Sequence, residues 1–275
     1  MRILFIGGGN MATALIGGLL QQGFKPGDLR VVEVAEQVRQ HLQKQFGIAV
    51  AASPDGDIAE DVVLLAVKPQ NMRAVATDLA RCLRGQLVIS IAAGIRTVDL
   101  ARWLGGHDRI VRAMPNTPAL IRSGIAGLFA AVNVKQADRD SAQGILAAVG
   151  SVVWVSEEQD IDTVTAISGS GPAYVFYFIE ALEQAAIELG LNEEQAHALA
   201  VQTFSGAARL AAASEESAAV LRARVTSKAG TTEAALKAME ASHIKRAIVE
   251  AVRAAAARSR ELGEEFGKDQ TAERK

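Results

Sequence analysis

The stretch Ile3-Leu4-Phe5-Ile6-Gly7-Gly8-Gly9-Asn10-Met11-Ala12 decides the fold. Four apolar, strand-favouring residues run straight into glycines. A helical pattern follows, with Met11, Leu15, Leu19 and Leu20 on one face. The spacing Gly7-x-Gly9-x-x-Ala12 is that of a phosphate-cradling strand–turn–helix. Gly7 permits the tight turn, Gly9 lets the backbone approach a pyrophosphate, and Ala12 lets the helix pack close to the strand. The first N–H groups of the helix and its positive dipole end face the same point. An acidic residue, Glu33, ends the next strand about 20 residues on, where a ribose 2′-hydroxyl would be held. The arrangement points to a bound dinucleotide; a bare βα turn is the plainer alternative. Glu33 favours NADH, because a carboxylate accepts a 2′-hydroxyl and repels the 2′-phosphate of NADPH. Arg39 is expected to be a solvated helix residue; swinging back to compensate the carboxylate is its alternative.

Working outward, residues 29–34, 62–67, 87–91, 110–113, 127–132 and 152–155 read as further strands. Helical stretches separate them, among them residues 38–46, with Gly47 as the residue just past the helix end. Continuous apolar strands alternating with helices indicate a mostly parallel, doubly wound sheet covered on both faces. Ligands of such sheets lie beyond the carboxyl ends of the strands. Two further strand ends carry small residues there, Ala66-Val67-Lys68-Pro69 and Ala92-Ala93-Gly94. The second would let a flat nicotinamide ring lie against backbone, while Lys68 faces either a phosphate or solvent. The expected cofactor contacts are therefore Ile6, Gly7, Gly8, Gly9, Asn10, Met11 and Glu33 at the first two strands. Ala66, Val67, Lys68, Pro69, Ala92, Ala93 and Gly94 complete the set.

After Ser156 strand signals fade and alanine-rich helical patterns take over. Residues 172–189 form one expected helix, with Pro172 in its first turn and Gly190 just past its end. Asn192 and Gln195 make a capping box for the next. Ser214 is expected to cap another, and residues 232–241 and 243–262 are the last two. Residues 264–275 are charged and expected to fray. The domains are accordingly 1–157, dinucleotide-binding, and 158–275, all-helical.

The 275 residues carry 29 Lys and Arg against 31 Asp and Glu, a net charge of −2. No basic excess is present for a nucleic-acid footprint, and 4% aromatic residues leave few stacking platforms. The single cysteine, Cys82, forms no disulfide within the chain; it fits a reducing cytoplasm and reads as a packing residue. The longest uncharged run, residues 163–179, is too short for a membrane span and is broken by Ser168-Gly169-Ser170-Gly171-Pro172. No leader pattern precedes residues 3–6. The histidines, His41, His107, His197 and His243, lack metal-ligand spacing, so no metal is expected. No nucleophile elbow occurs either, which leaves the hard chemistry to a cofactor.

Ser227-Lys228-Ala229-Gly230-Thr231-Thr232-Glu233 lies between two helices of the second half. Small residues, hydroxyls and free N–H groups at a helix start suit a small carboxylate. A well-capped helix start is the alternative. Met114-Pro115-Asn116-Thr117-Pro118 and Ser168-Gly169-Ser170-Gly171-Pro172 are rigid polar turns that either border a cleft or merely punctuate the chain.

Taken in order, these blocks resemble the pyrroline-5-carboxylate reductase family over nearly the whole chain. The glycine loop, the two small-residue strand ends and Arg112 to Pro118 look like its internal blocks, and Ser168 to Tyr174 like the start of its second domain. Residues 227–236 resemble its C-terminal signature. The resemblance implies an N-terminal Rossmann domain and a helical dimerisation domain, working as a homodimer, with assembly of dimers into a higher oligomer left open. It implies reduction of L-1-pyrroline-5-carboxylate to L-proline, the last step of proline synthesis, with NADPH more often than NADH. By the same resemblance Ser227 borders the substrate pocket. The backbone of Gly230 and Thr231 and the hydroxyl of Thr232 hold the substrate, Thr232 being the catalytic residue. Two features depart from the family pattern: Glu33, and Lys228-Ala229 where Pro-Gly is common. A hydroxyacid dehydrogenase is disfavoured because residues 169–176 lack the lysine it needs. A nucleotide sensor without turnover is the remaining alternative.

Overall fold

The computed structural model describes residues 1–54 and 56–268. Eight strands form one sheet: β1 (Ile3–Ile6), β2 (Leu29–Val32), β3 (Ala49–Ala51), β4 (Val62–Leu65), β5 (Leu87–Ser90), β6 (Ile110–Met114), β7 (Gly124–Ala130) and β8 (Gly150–Trp154). Their spatial order is β3-β2-β1-β4-β5-β6-β7-β8. All neighbours are parallel except β6 and β7, which pair antiparallel. The chain thus departs in opposite directions from β1, and a crevice opens beyond the carboxyl ends where β2 and β4 flank it.

Successive residues of β1 face opposite sides of the sheet, so its apolar run feeds two cores. Ile3 and Phe5 join Leu15, Leu19 and Leu42 on one face; Leu4 and Ile6 join Val63, Leu65, Met72 and Leu100 on the other. The first core is roofed by α1 (Asn10–Gln21), α2 (Glu36–Phe46) and α5 (Gln136–Ala147), the second by α3 (Pro69–Leu79) and α4 (Thr97–Trp103). Cys82 packs against the second core.

The remaining helices are α6 (Asp160–Val164), α7 (Gly171–Glu188), α8 (Glu193–Ala213), α9 (Ala218–Arg224), α10 (Thr231–Ala241) and α11 (Ile244–Gly267). By compactness the chain divides into Met1–Ser170 with Ala255–Lys275, and Gly171–Ala254. In the second unit α7 packs on α8, with Phe178 and Phe204 ring centroids 6.4 Å apart. Few of its side chains are buried. Phe176, Tyr177, Leu189, Leu199 and Leu210 are all exposed.

Several local expectations are corrected. The sequence reading omits β3 and α6, segments only three and five residues long. Ser168 to Pro172 interrupts the helix as expected, with Ser170 outside both flanking elements. Thr165–Gly169 is a π-turn, closed by Ser170 N–H donating to Thr165 O at 2.8 Å, and α7 starts at once. Pro172 sits in the first turn, where its missing N–H costs no helix bond. The cap of α9 is Ser217, not Ser214; the Ser214 hydroxyl instead accepts Glu216 N–H at 3.1 Å. Residues 264–267 are helical, within α11, while residues 269–275 lie outside the described residues. Gly47 in left-handed backbone and the Asn192–Gln195 box stand as expected.

The start of α5 is fixed by Asp138, which accepts Lys135 N–H at 3.2 Å and holds Arg109 through both carboxylate oxygens. The Arg109 guanidinium keeps the Asp138 carboxyl below its ordinary pKa, ahead of the opposing effect of burial. Its contribution is therefore complete above the unfolded value and is lost as pH falls through the lower folded one. We expect Asp138→Asn to lose about 2 kcal/mol at pH 7, since a nearly buried charge pair is broken on one side only while Arg109 keeps solvent access. In urea melts the gap to the parent chain should narrow as pH falls below about 4.

Candidate cofactor and substrate sites

At the crevice, Gly7 N–H donates to Val32 O and Ala66 N–H to Ile6 O, each at 2.8 Å. The end of β1 is thereby pinned between its neighbours. Gly7 has φ +99°, and a β-carbon there would lie 2.8 Å from Ala66 O, so no other residue fits. Gly9 is the opposite case. A β-carbon there would meet nothing within 4 Å, because Gly9 faces open space. It is the N-cap of α1 and no side chain caps that helix. The helix's first N–H groups are thus free of side-chain acceptors, as a phosphate requires.

Gly8 has a structural reason for its smallness that the motif does not state. A β-carbon there would press on Leu42 and Val38 of α2. Its N–H donates to Glu33 Oε2 at 2.8 Å, and the other carboxylate oxygen accepts Ala35 N–H at 2.8 Å. Glu33 therefore braces the glycine loop while lying at the ribose end of the crevice. Arg39 is not the solvated residue expected. Its guanidinium swings back and donates to Glu33 O at 2.7 Å and Val34 O at 2.8 Å. The first turn of α2 carries it beside those carbonyls, a geometry that charge patterning alone does not reveal.

A cleft of about 650 Å³ lies beyond the strand ends. Ile6, Gly7, Gly9, Glu33, Ala66, Val67 and Lys68 all line it. Asn71, Val75 and Pro54, which sequence reasoning passed over, line it too. Gly8, Asn10, Met11 and Pro69 do not: Asn10 is exposed at the start of α1, Met11 packs on the first core, and Pro69 opens α3. Ala92, Ala93 and Gly94 stand apart from it as well. Ala92 is buried in the second core, Ala93 is half-buried, and Gly94, at φ +72°, backs onto Leu262 and Phe266. The open face at Gly9, the uncapped helix start and the carboxylate at the end of β2 fit a dinucleotide.

In the second unit, α10 begins at Gly230 without a side-chain cap. Gly230 N–H donates to Ser227 O at 3.1 Å, and a β-carbon at Gly230 would collide with the Ser227 hydroxyl. Ala229 has φ +60°, a left-handed conformation that costs an L-residue about 1 kcal/mol and glycine almost nothing. Its N–H donates to the Glu233 carboxylate, which also pairs with Lys237 at 3.0 Å. Lys237 first, then the Ala229 N–H, hold the Glu233 carboxyl below its ordinary pKa. Sequence reasoning missed this brace; an acid in the first turn of α10 was its only signal. Ser227, Lys228 and Thr231 are exposed and Thr232 is half-buried.

Among the described residues no cluster of three or more His, Cys, Asp or Glu is placed to hold a metal, and no helix is long and apolar enough to cross a membrane.

Residues 2–94 match the family profile described as NADP oxidoreductase coenzyme F420-dependent, and residues 158–262 match pyrroline-5-carboxylate reductase dimerisation. A pyrroline-5-carboxylate reductase of Pseudomonas aeruginosa is 47% identical over 97% of this chain and 98% of its own. That of Haemophilus influenzae is 43% identical over 94% and 97%. Among solved structures, the Coxiella burnetii pyrroline-5-carboxylate reductase superposes with a TM-score of 0.90 at 42% identity, covering 95% of this chain and 98% of that one. The Plasmodium falciparum pyrroline carboxylate reductase with NADP bound gives 0.84 at 29% identity, covering 96% and 98%. On residues, fold and full-length likeness together, the chain belongs to the pyrroline-5-carboxylate reductase family and is an NAD(P)-dependent oxidoreductase.

Proposed function

We propose that this chain reduces L-1-pyrroline-5-carboxylate to L-proline by the following division of labour. The first unit holds the dinucleotide: the α1 N-terminus at Gly7 to Met11 takes the pyrophosphate, and Glu33 the adenosine ribose. Ala66, Val67 and Lys68 border the crevice next to Ile6, with Pro69 opening the helix behind them, and Ala92, Ala93 and Gly94 border the nicotinamide. When bound, the reduced nicotinamide supplies a hydride. In the second unit the backbone of Gly230 and Thr231 holds the substrate beside Ser227, with the carboxylate on the Thr231 N–H, since the Gly230 N–H is already bonded to Ser227 O. The Thr232 hydroxyl accepts from the protonated ring nitrogen or donates to the carboxylate, and fixes the face presented. A protonated imine is already electrophilic, so the site needs no strong general acid. The supporting observation is that two helix starts, at Gly9 and at Gly230, both lack a side-chain cap.

We take residue 158 as the start of the substrate and dimerisation domain, in keeping with the dimerisation profile from that residue. The exposed apolar side chains of α7 and α8 are covered by a second copy of the chain, and the enzyme works in the cytoplasm. Equilibrium sedimentation should give about twice 28.9 kDa; a monomer would remove the homodimer, and a larger multiple would add the assembly of dimers.

Two substitutions separate the roles. Thr232→Val should lower kcat about 10–100-fold, the worth of one hydrogen bond to a charged or polarised group. Nucleotide affinity, measured by fluorescence titration, should stay unchanged; unaltered turnover would take Thr232 out of the reaction. Glu33→Gln keeps an acceptor for the loop but removes the charge. The ratio of kcat/KM for NADPH over NADH should rise roughly tenfold, as removal of one like charge near a phosphate predicts at protein-surface screening. A constant ratio would confine Glu33 to bracing the loop.

A further inference from the structure

Ala92-Ala93-Gly94 carries no side chain long enough to anchor itself, so its position is set by what packs behind it. Behind it lie the last turns of α11, which belong to the first unit from Ala255 onward. There Ser259, Gly263 and Gly267 form a buried stripe four residues apart. A β-carbon at Gly94 would lie 3.1 Å from Leu262 Cβ and 3.3 Å from Phe266 Cδ2, and one at Gly263 would face Gly94 O at 3.6 Å. Phe266 also packs into the apolar layer that contains Ala92 and Ile95.

The contact is clasped on both sides. Arg102 donates to Gly267 O at 2.7 Å and to the buried Asp99 at 3.1 Å, and Asp99 also receives Arg96 at 2.7 Å. Two turns earlier, Ser259 donates to Asp162 at 2.6 Å. Glu158 accepts both the N–H and the hydroxyl of Thr97 at 2.7 Å, fixing the far end of the same loop, and receives the buried Arg112 at 3.2 Å.

We propose that Leu262 and Phe266 are positioning residues for the reaction: they press the Ala92–Gly94 loop into the place where it meets the nicotinamide. This rests on the reading above that the loop borders that ring. The test is Phe266→Ala in the full chain. Dissociation constants are measured for NADH and for ADP-ribose, which lacks the nicotinamide, with kcat and the melting temperature alongside. The expected result is weaker NADH binding, unchanged ADP-ribose binding, and a kcat lower by about 10–100-fold, the usual effect of a misplacement near 1 Å. Phe266→Leu should restore most of each. Leu262→Val makes the same test should Phe266→Ala not fold. Equal changes for both nucleotides, or none, would overturn the proposal. Ala93→Leu separates the two ideas. If it weakens NADH alone while Phe266→Ala moves nothing, the loop reading stands and the positioning role falls. If it too fails to distinguish the nucleotides, the loop reading itself is wrong.

Discussion

The rest of the structure depends on one close approach, the backbone of Gly7 against Ala66 at the end of β1. A side chain at Gly7 would drive β1 and β4 apart, and the crevice between their ends would lose its floor. With glycine there, β1 stops flush with its neighbours and α1 starts three residues later, its N-terminus at the point where the sheet's connectivity reverses. Sheet order, helix dipole and crevice then coincide in one place. That coincidence gives an otherwise ordinary βα turn the features that a phosphate site requires.

Glu33 ties the glycine loop to the segment that follows β2. Its two carboxylate oxygens accept backbone N–H groups from either side of the crevice rim. A carboxylate in this position is electrostatically adverse to a 2′-phosphate, yet Arg39 lies against the same rim through two carbonyls. The pair places a negative and a positive group within one turn of the ribose end. The chain is an NAD(P)-dependent oxidoreductase, and both charges lie at the rim of its crevice.

Much of this was legible in the sequence because it is written in local terms. Strand-to-glycine transitions, the Asn192–Gln195 box and the left-handed Gly47 each follow from a few adjacent residues. What escaped depends on distant partners. Gly8 is small because Leu42 and Val38 press on it from 30 or more residues away. Arg39 turns back because carbonyls of the preceding loop await it. The π-turn at Thr165–Gly169, just before the expected break at Ser168 to Pro172, has no sequence signal of its own. The alliance of Phe266 with Gly94 joins positions near opposite ends of the chain, and no periodicity announces it.

The second unit shows the same logic from the other side. Its helices bury little on their own, consistent with a domain whose apolar faces await a second copy, while its loop before α10 is braced by Glu233 and strained at Ala229. The reaction proposed for the chain is hydride transfer from the reduced nicotinamide to the imine carbon of pyrroline-5-carboxylate. The most direct measurement supplies pyrroline-5-carboxylate with cofactor deuterated on each face of C4 in turn and reads the product by mass spectrometry and NMR. The account predicts proline carrying one deuterium at C5, the former imine carbon, from one face only. Deuterium at any other position, or proline formed without it from either face, would contradict the account.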